Sequence, residues 1–179
     1  MPEPPATAAW TPSPECLARV ARGEPGALAE VFGAYSRDIH RIAYAVTLSA
    51  DDADDVVQDV FIGLPEALRS YREQGRFGAW LRIVAARTAL MRRRRARRTV
   101  ELSTGARDDR DRSDAVVERL TLERALGALP DEMRAVFVLK VIEGYSHDEI
   151  AQQLGIRRGT AEVRLFRAIR RLRALLATD

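Results

Sequence analysis

This chain is short of cysteine, lysine and aromatic residues, and each shortage excludes something. Cys16 is the only cysteine among 179 residues, so no disulfide framework can form within one chain. His40, His147 and Cys16 show no zinc-ligand spacing. Aromatics make up 6% of the chain, so a core must come from Ala, Leu, Val and Ile, a composition that leans helical. No apolar run approaches the roughly 20 residues that span a bilayer. The opening "MPEPPATAAWTPSPE" has neither the basic nor the apolar segment of a signal peptide. A cytoplasmic protein without membrane insertion is expected. There is no phosphate-binding glycine loop and no nucleophile motif. Read as a calcium loop from Asp51, the aspartate cluster puts Val56 where glycine is needed and Ile62 where glutamate is needed. The sequence therefore predicts no enzyme, no metal and no cofactor.

What is abundant is segregated charge. The net charge of +3 conceals five aspartates at 51, 52, 54, 55 and 59, and eight arginines from Arg82 to Arg98 with no acid between them. A second basic set, Arg157, Arg158, Arg164, Arg167, Arg170, Arg171 and Arg173, lies near the other end. Two distant basic stretches point to a long polyanion or to two phosphate-binding surfaces.

Apolar spacing places the elements. Residues 1–24 hold most of the prolines and no periodicity, and read as a disordered tail. Leu28, Val31, Phe32, Tyr35, Ile39, Ile42 and Val46 form one helical stripe. Val56, Val57, Val60, Phe61, Leu64 and Leu68 form a second, opened by aspartates that suit a helix N-terminus and bent or ended by Pro65. After the loop "RSYREQGRFG", a third helix runs from Phe77 to Arg95 with Phe77, Trp80, Leu81, Val84, Thr88 and Met91 inward. Residues 99–114 mix charges without a period and read as a linker. Two further helices, Val116–Leu126 and Asp131–Ile142, flank Pro130, a first-turn proline. The expected fold is all-α: one small helical domain at 25–98, a charged linker, and a second domain at 115–179.

The stretch "GYSHDEIAQQLGIRRGTAEVRLFRAIRRLR", Gly144 to Arg173, carries the sharpest signal. Ser146 and Glu149 have capping-box spacing. Ile150, Ala151 and Leu154 face inward, and Gly155 suits a left-handed turn. The second helix buries Ala161, Leu165, Ala168, Ile169, Leu172 and Leu176. Arg157, Arg158, Glu162, Val163, Phe166 and Arg167 stay outward. This is a helix-turn-helix whose second helix can enter a major groove.

Three segments carry a family resemblance: "DADDVVQDVF", "FGAWLRIVAARTA", and "LPDEMRAVFVLKVIEGYSHDEIAQQLGI" followed by "GTAEVRLFRA". In this order, divided by a linker, they resemble sigma factors of the sigma-70 type, in the compact extracytoplasmic-function group. The resemblance covers about Gly23 to Leu176. It implies a non-enzymatic protein with a region 2 bundle and a region 4 helix-turn-helix. The first domain would bind the clamp of core RNA polymerase and the −10 element. The second would bind the −35 element and the polymerase flap. Many such proteins are held inactive by an anti-sigma protein.

The resemblance assigns residues. Asp55, Gln58, Asp59 and Ile62 share a helix face off the core stripe, and correspond to the polymerase-binding face. The loop from Ser70 to Arg76 corresponds to the −10 reading loop, where Tyr71, Arg72, Gln74 and Arg76 can stack on or hydrogen-bond an unstacked base. Arg87 belongs to the same surface, and Arg92, Arg93, Arg94 and Arg95 would grip backbone phosphates. Arg157, Arg158, Thr160, Glu162, Val163, Arg164, Phe166 and Arg167 would meet the −35 element. The family usually has asparagine and aspartate at the positions of Arg87 and Met91, and Lys/Arg-Ser at those of Glu162 and Val163. Glu162 cannot hold a phosphate, but it can accept from a cytosine amine, and Val163 can touch a thymine methyl.

Two other readings explain part of this. A stand-alone helix-turn-helix regulator would need a dimerisation or sensor surface and a palindromic site. A non-specific polyanion binder would show a steep salt slope and no sequence preference. If Glu162 reads a base, Glu162→Ala changes the −35 preference in transcripts from a randomised promoter library. An unchanged preference removes Glu162 from the readers.

Overall fold

A computed structural model describes residues 10–72, 76–104 and 117–177, and every regular element among them is helical. The chain divides into two compact units, one through Ala89 and one from Leu90.

The first unit begins earlier than composition predicts. Helix α1 (Pro14–Ala21) is capped by Ser13, whose Oγ accepts from the Cys16 N–H at 3.1 Å, and it buries Cys16, Leu17 and Val20. The expectation of a tail through residue 24 is thus corrected for residues 10–24; residues 1–9 lie outside the described residues. The physical reason is positional. Pro14 and Pro25 occupy first turns of helices, where a missing N–H costs nothing.

Helix α2 (Pro25–Thr47) buries Val31, Tyr35, Ile39, Ile42 and Val46, as the periodicity requires. It ends at Leu48, which takes a left-handed φ of 56°. Ser49 then caps α3 (Ala50–Ala67) by accepting from the Asp52 N–H at 3.3 Å. Two residues thus turn the chain into a helical hairpin. Helix α3 buries Ala53, Val56, Val57, Val60, Phe61 and Leu64, and it continues through Pro65 to Ala67 before a 3-10 turn at Leu68–Ser70.

Helix α4 (Phe77–Thr104) starts in the first unit and ends in the second. Phe77 meets the Tyr35 ring edge-on at 5.4 Å, and Arg82 Nη1 lies 3.6 Å from the buried Asp38 carboxylate. Its buried residues are Phe77, Leu81, Ile83, Ala85, Ala86, Ala89 and Leu90. That corrects the expected stripe: Trp80, Val84 and Thr88 are half-buried and Met91 is exposed. The alanines pack closest because they have least to keep out of the interface, and a pattern of large apolar residues misses them. The helix also runs six residues past Arg98 into the expected linker; residues 105–116 lie outside the described residues.

In the second unit, α5 (Val117–Gly127) leads through Pro130 to α6 (Asp131–Phe137). Pro130 is the cap of α6 rather than its first-turn residue. A π-helical turn, Val138–Ile142, extends α6. The Arg134 guanidinium is buried, pairs with the buried Asp131 carboxylate, and donates to the Leu126 carbonyl at 3.2 Å. One ion pair therefore ties the end of α5 to the start of α6.

Gly144 takes φ 77° before Ser146 opens α7 (His147–Leu154). The capping box forms in full. Ser146 Oγ accepts from the Glu149 N–H at 3.2 Å, and Glu149 Oε2 accepts from the Ser146 N–H at 2.8 Å. Gly155 turns the chain at φ 63°, and α8 (Arg158–Leu176) follows. Ala161, Ala168 and Leu172 are buried and Leu165 and Ile169 half-buried, but Leu176 is exposed, against the sequence reading. At 19 residues α8 outlasts the eight-residue α7, so its last turn has less to pack against.

Asp131→Ala removes the carboxylate that pairs with the buried Arg134 cation. An unfolding free energy lower by about 3 kcal/mol is expected from urea titration. Ser146→Ala removes a cap, and a loss of about 1 kcal/mol is expected in the same assay.

Candidate nucleic-acid interface

The exposed side of α8 is built by default. Its core contacts use Ala161, Ala168 and Leu172, which leaves Arg157, Arg158, Glu162, Val163, Phe166 and Arg167 outward. Phe166 is 66% exposed and Val163 48%, so two apolar side chains stand among charges with no core to serve. Arg157 is the N-cap and supplies no side-chain cap, as the absence of Ser, Thr, Asp or Asn there predicts. Thr160 is half-buried. Arg164 is also half-buried, and its charge helps stabilise the Glu132 carboxylate. Arg164 is therefore the least outward of the arginines in this set before Arg170.

Arg158 is held from two sides. Its Nε donates to Glu162 Oε1 at 2.9 Å, and its Nη1 donates to Asp148 Oδ2 on α7 at 3.2 Å. The Arg158 hydrogen bond holds the Glu162 carboxyl below the usual carboxylate range, with a smaller contribution from the nearby His147. Sequence reasoning did not single out Asp148. Its only signal was its place in the first turn of α7.

On α3, Gln58, Asp59 and Ile62 are exposed and Asp55 half-buried, so the four residues share one outward face. Ile62 is 78% exposed, the most of any large apolar residue described. Beside this face a shallow groove of about 320 Å³ runs between α2 and α3, lined by Phe32, Ser36, Arg37, His40, Asp54 and Val57. His40 Nε2 lies 3.4 Å from Asp54 Oδ1. The half-exposed Phe32 ring lies tilted against Phe61, with centroids 4.8 Å apart.

Near the loop that follows α3, Tyr71 meets Phe77 edge-on at 5.6 Å and lies tilted against Trp80 at 4.9 Å. Tyr35 joins through Phe77, and its hydroxyl donates to the Trp10 carbonyl at 3.0 Å. The structure thus adds Trp80, half-buried, to the tyrosine that the sequence singled out. Arg72, Arg76 and Arg87 are exposed, and Gln74 lies outside the described residues.

The arginine run on α4 is divided. Within the second unit, Arg93 and Arg97 lie 3.4 Å and 3.2 Å from the Asp131 carboxylate, and Arg94 lies 3.2 Å from Glu132. Burial pushes the Glu132 carboxyl up, but its own backbone amide, Arg94 and Arg164 together bring it below the usual range. Arg95 is exposed and Arg92 half-buried. No group of acids, histidines and cysteines fit to hold a metal occurs among the described residues. No described helix is long and apolar enough to cross a membrane.

Comparison with known proteins finds two matched segments, the first of which runs ten residues past Ala89 into the second unit. Residues 31–99 match the family description "Sigma-70 region 2", and residues 119–172 match "Sigma-70, region 4". The chain is 32% identical over 166 residues to the ECF RNA polymerase sigma factor SigM of Mycobacterium tuberculosis, covering 90% of this chain and 83% of that one. It is 32% identical over 172 residues to SigL of the same species, covering 89% and 96%. Among solved structures, CnrH in complex with the cytosolic domain of CnrY matches with a TM-score of 0.62 and 29% identity, over 92% of this chain and 97% of that one. RpoE of Bartonella quintana, in complex with the anti-sigma factor NepR, shares the fold with a TM-score of 0.68 at 22% identity, over 84% and 97%.

The Arg158 pairing fixes how Glu162 titrates. A carboxyl held below its ordinary value keeps the pair intact at neutral pH and loses it as pH falls through that lowered value. An NMR titration should place the Glu162 midpoint below that of exposed glutamates, and Arg158→Ala should return it toward them.

Proposed function

The chain belongs to the sigma-70 family, in its extracytoplasmic-function group, and we propose how its residues divide that family's work of binding core RNA polymerase and directing it to promoters. The α3 face of Asp55, Gln58, Asp59 and Ile62 docks on the polymerase clamp. An exposed isoleucine ringed by carboxylates fits a basic partner helix: burial of Ile62 supplies the free energy, and the acids select the partner. The observation that carries this assignment is the 78% exposure of Ile62 on a helix whose other large apolar side chains are buried.

The −10 element meets the surface around Tyr71, Arg72, Gln74, Arg76 and Arg87. A base that leaves the duplex stack needs an aromatic surface to replace its neighbours, and Tyr71 backed by Trp80 offers one. Arg92 and Arg95 supply phosphate contacts, which position the duplex without reading it; Arg93 and Arg94, which the resemblance gives the same task, are turned to Asp131 and Glu132 in this structure. The −35 element meets the start of α8 through Arg157, Arg158, Thr160, Glu162, Val163, Arg164, Phe166 and Arg167. Phe166 and Val163 provide apolar contact for thymine methyls, and region 4 as a whole also meets the polymerase flap. Arg164, half-buried beside Glu132, acts from the edge of this surface.

Sigma factors are transcription initiation factors and not enzymes, and this chain is proposed to work without catalysis or cofactor, in the cytoplasm where polymerase and promoter meet. An anti-sigma protein that covers the α3 face would exclude polymerase. The reading as a stand-alone regulator gives the exposed face of α3 no task and is not favoured.

Ile62→Asp is expected to weaken binding to core polymerase at least tenfold in a fluorescence anisotropy assay, with the helical content unchanged. Unaltered affinity would remove the α3 face from the interface. In the holoenzyme, replacing one phosphate-contacting arginine should reduce the slope of log affinity against log salt by about 0.9.

A further inference from the structure

The contacts around Arg158 join two elements at the corner of the helix-turn-helix. Arg158 is the first residue of α8, Glu162 lies one turn on, and Asp148 stands in the first turn of α7. The guanidinium has five N–H donors, of which two are directed to these carboxylates at 2.9 Å and 3.2 Å. The remaining donors lie on a side chain that is 61% exposed. A long arginine side chain on a surface normally samples many rotamers, and two carboxylates on different helices restrict it to few.

We infer that Arg158 is a guanine reader in the major groove, and that Glu162 and Asp148 are positioning residues that hold its guanidinium for that contact. This rests on the reading that α8 meets the upstream promoter element, and names which base it meets and how.

Two observations favour a base edge over a phosphate. The first is charge. One guanidinium shared between two carboxylates leaves these three side chains net negative, which disfavours a phosphate at Arg158. The O6 and N7 of guanine are uncharged acceptors that need only aimed donors. The second is place. N-terminal residues of a recognition helix are those that reach base edges, and Arg158 opens α8. Glu162 then has a different task from reading cytosine, because its Oε1 already accepts from Arg158.

The test uses the full chain with core RNA polymerase and promoter duplexes randomised across the upstream element. The unmodified protein should enrich guanine at one position. Arg158→Ala and Glu162→Ala should each reduce that enrichment roughly tenfold at the same position. The double variant should lose no more than either alone, since both act through one contact. Asp148→Asn should give a smaller loss at that position, and Glu162→Gln, which can still accept, a partial recovery relative to alanine. The inference is overturned if Glu162→Ala alters a different base pair, or if the two losses add. It is also overturned if Arg158→Ala weakens all sequences equally with guanine enrichment intact, or if the unmodified protein enriches no guanine. Enrichment of no upstream sequence at all by a holoenzyme that still transcribes would instead sink the assignment of α8 to the −35 element.

Discussion

The DNA-reading unit is organised around a carboxylate that water barely reaches. Asp131 and Arg134 are both almost wholly buried, and the pairing offsets part of the cost of keeping two charges in the interior. Arg134 also donates to the Leu126 carbonyl, so the pair satisfies polar groups at the junction of α5 and α6 that would otherwise be orphaned. Such a pair adds little net stability over a well-packed apolar substitute. Its effect here is geometric: it allows one arrangement of the α5–α6 corner, and α8 packs on both helices of that corner. The second carboxylate oxygen, 3.2 Å from Arg97, extends the same constraint to the end of α4.

The first unit is held by other means. Its aromatic side chains are few, and they are concentrated where α2 and α4 meet, in the chain Trp10, Tyr35, Phe77, Tyr71 and Trp80. Along α4 three alanines are buried among Phe77, Leu81, Ile83 and Leu90, while Arg87, Arg94 and Arg95 are exposed. Gly78 shows how tight the approach is: an added Cβ would sit 2.9 Å from the Tyr35 ring. The half-buried edge of the aromatic chain at Tyr71 and Trp80, proposed above to stack a base, is thus continuous with the core through Phe77.

Helix periodicity in α2, α3, α7 and the first half of α8 was legible because large apolar residues recur there at three and four. The capping box at Ser146 and the left-handed Gly155 were legible because few residue types do those jobs. The outward face of α3 could be derived from spacing alone. Composition failed at residues 10–24, where proline marks helix starts and three apolar residues close the core. Periodicity failed in α4, where alanines set the buried face. The partnership of Arg158 with Asp148 was out of reach, because ten residues of sequence separate them and only the fold of the corner brings them within 3.2 Å. Glu162 had been legible as an unusual residue but not as a bonded one.

The bare start of α8 means that this helix is not optimised as a fold. Serine or aspartate at position 157 would close its first turn and add about 1 kcal/mol to the free protein, yet arginine stands there. The first turn of α8 is held instead by side chains, through Arg158 bonded to Glu162 and to Asp148 of α7. The stability given up at the cap is thus exchanged for a side-chain clasp between α7 and α8, so that fixing the start of the helix and fixing the direction of an exposed guanidinium are one and the same contact.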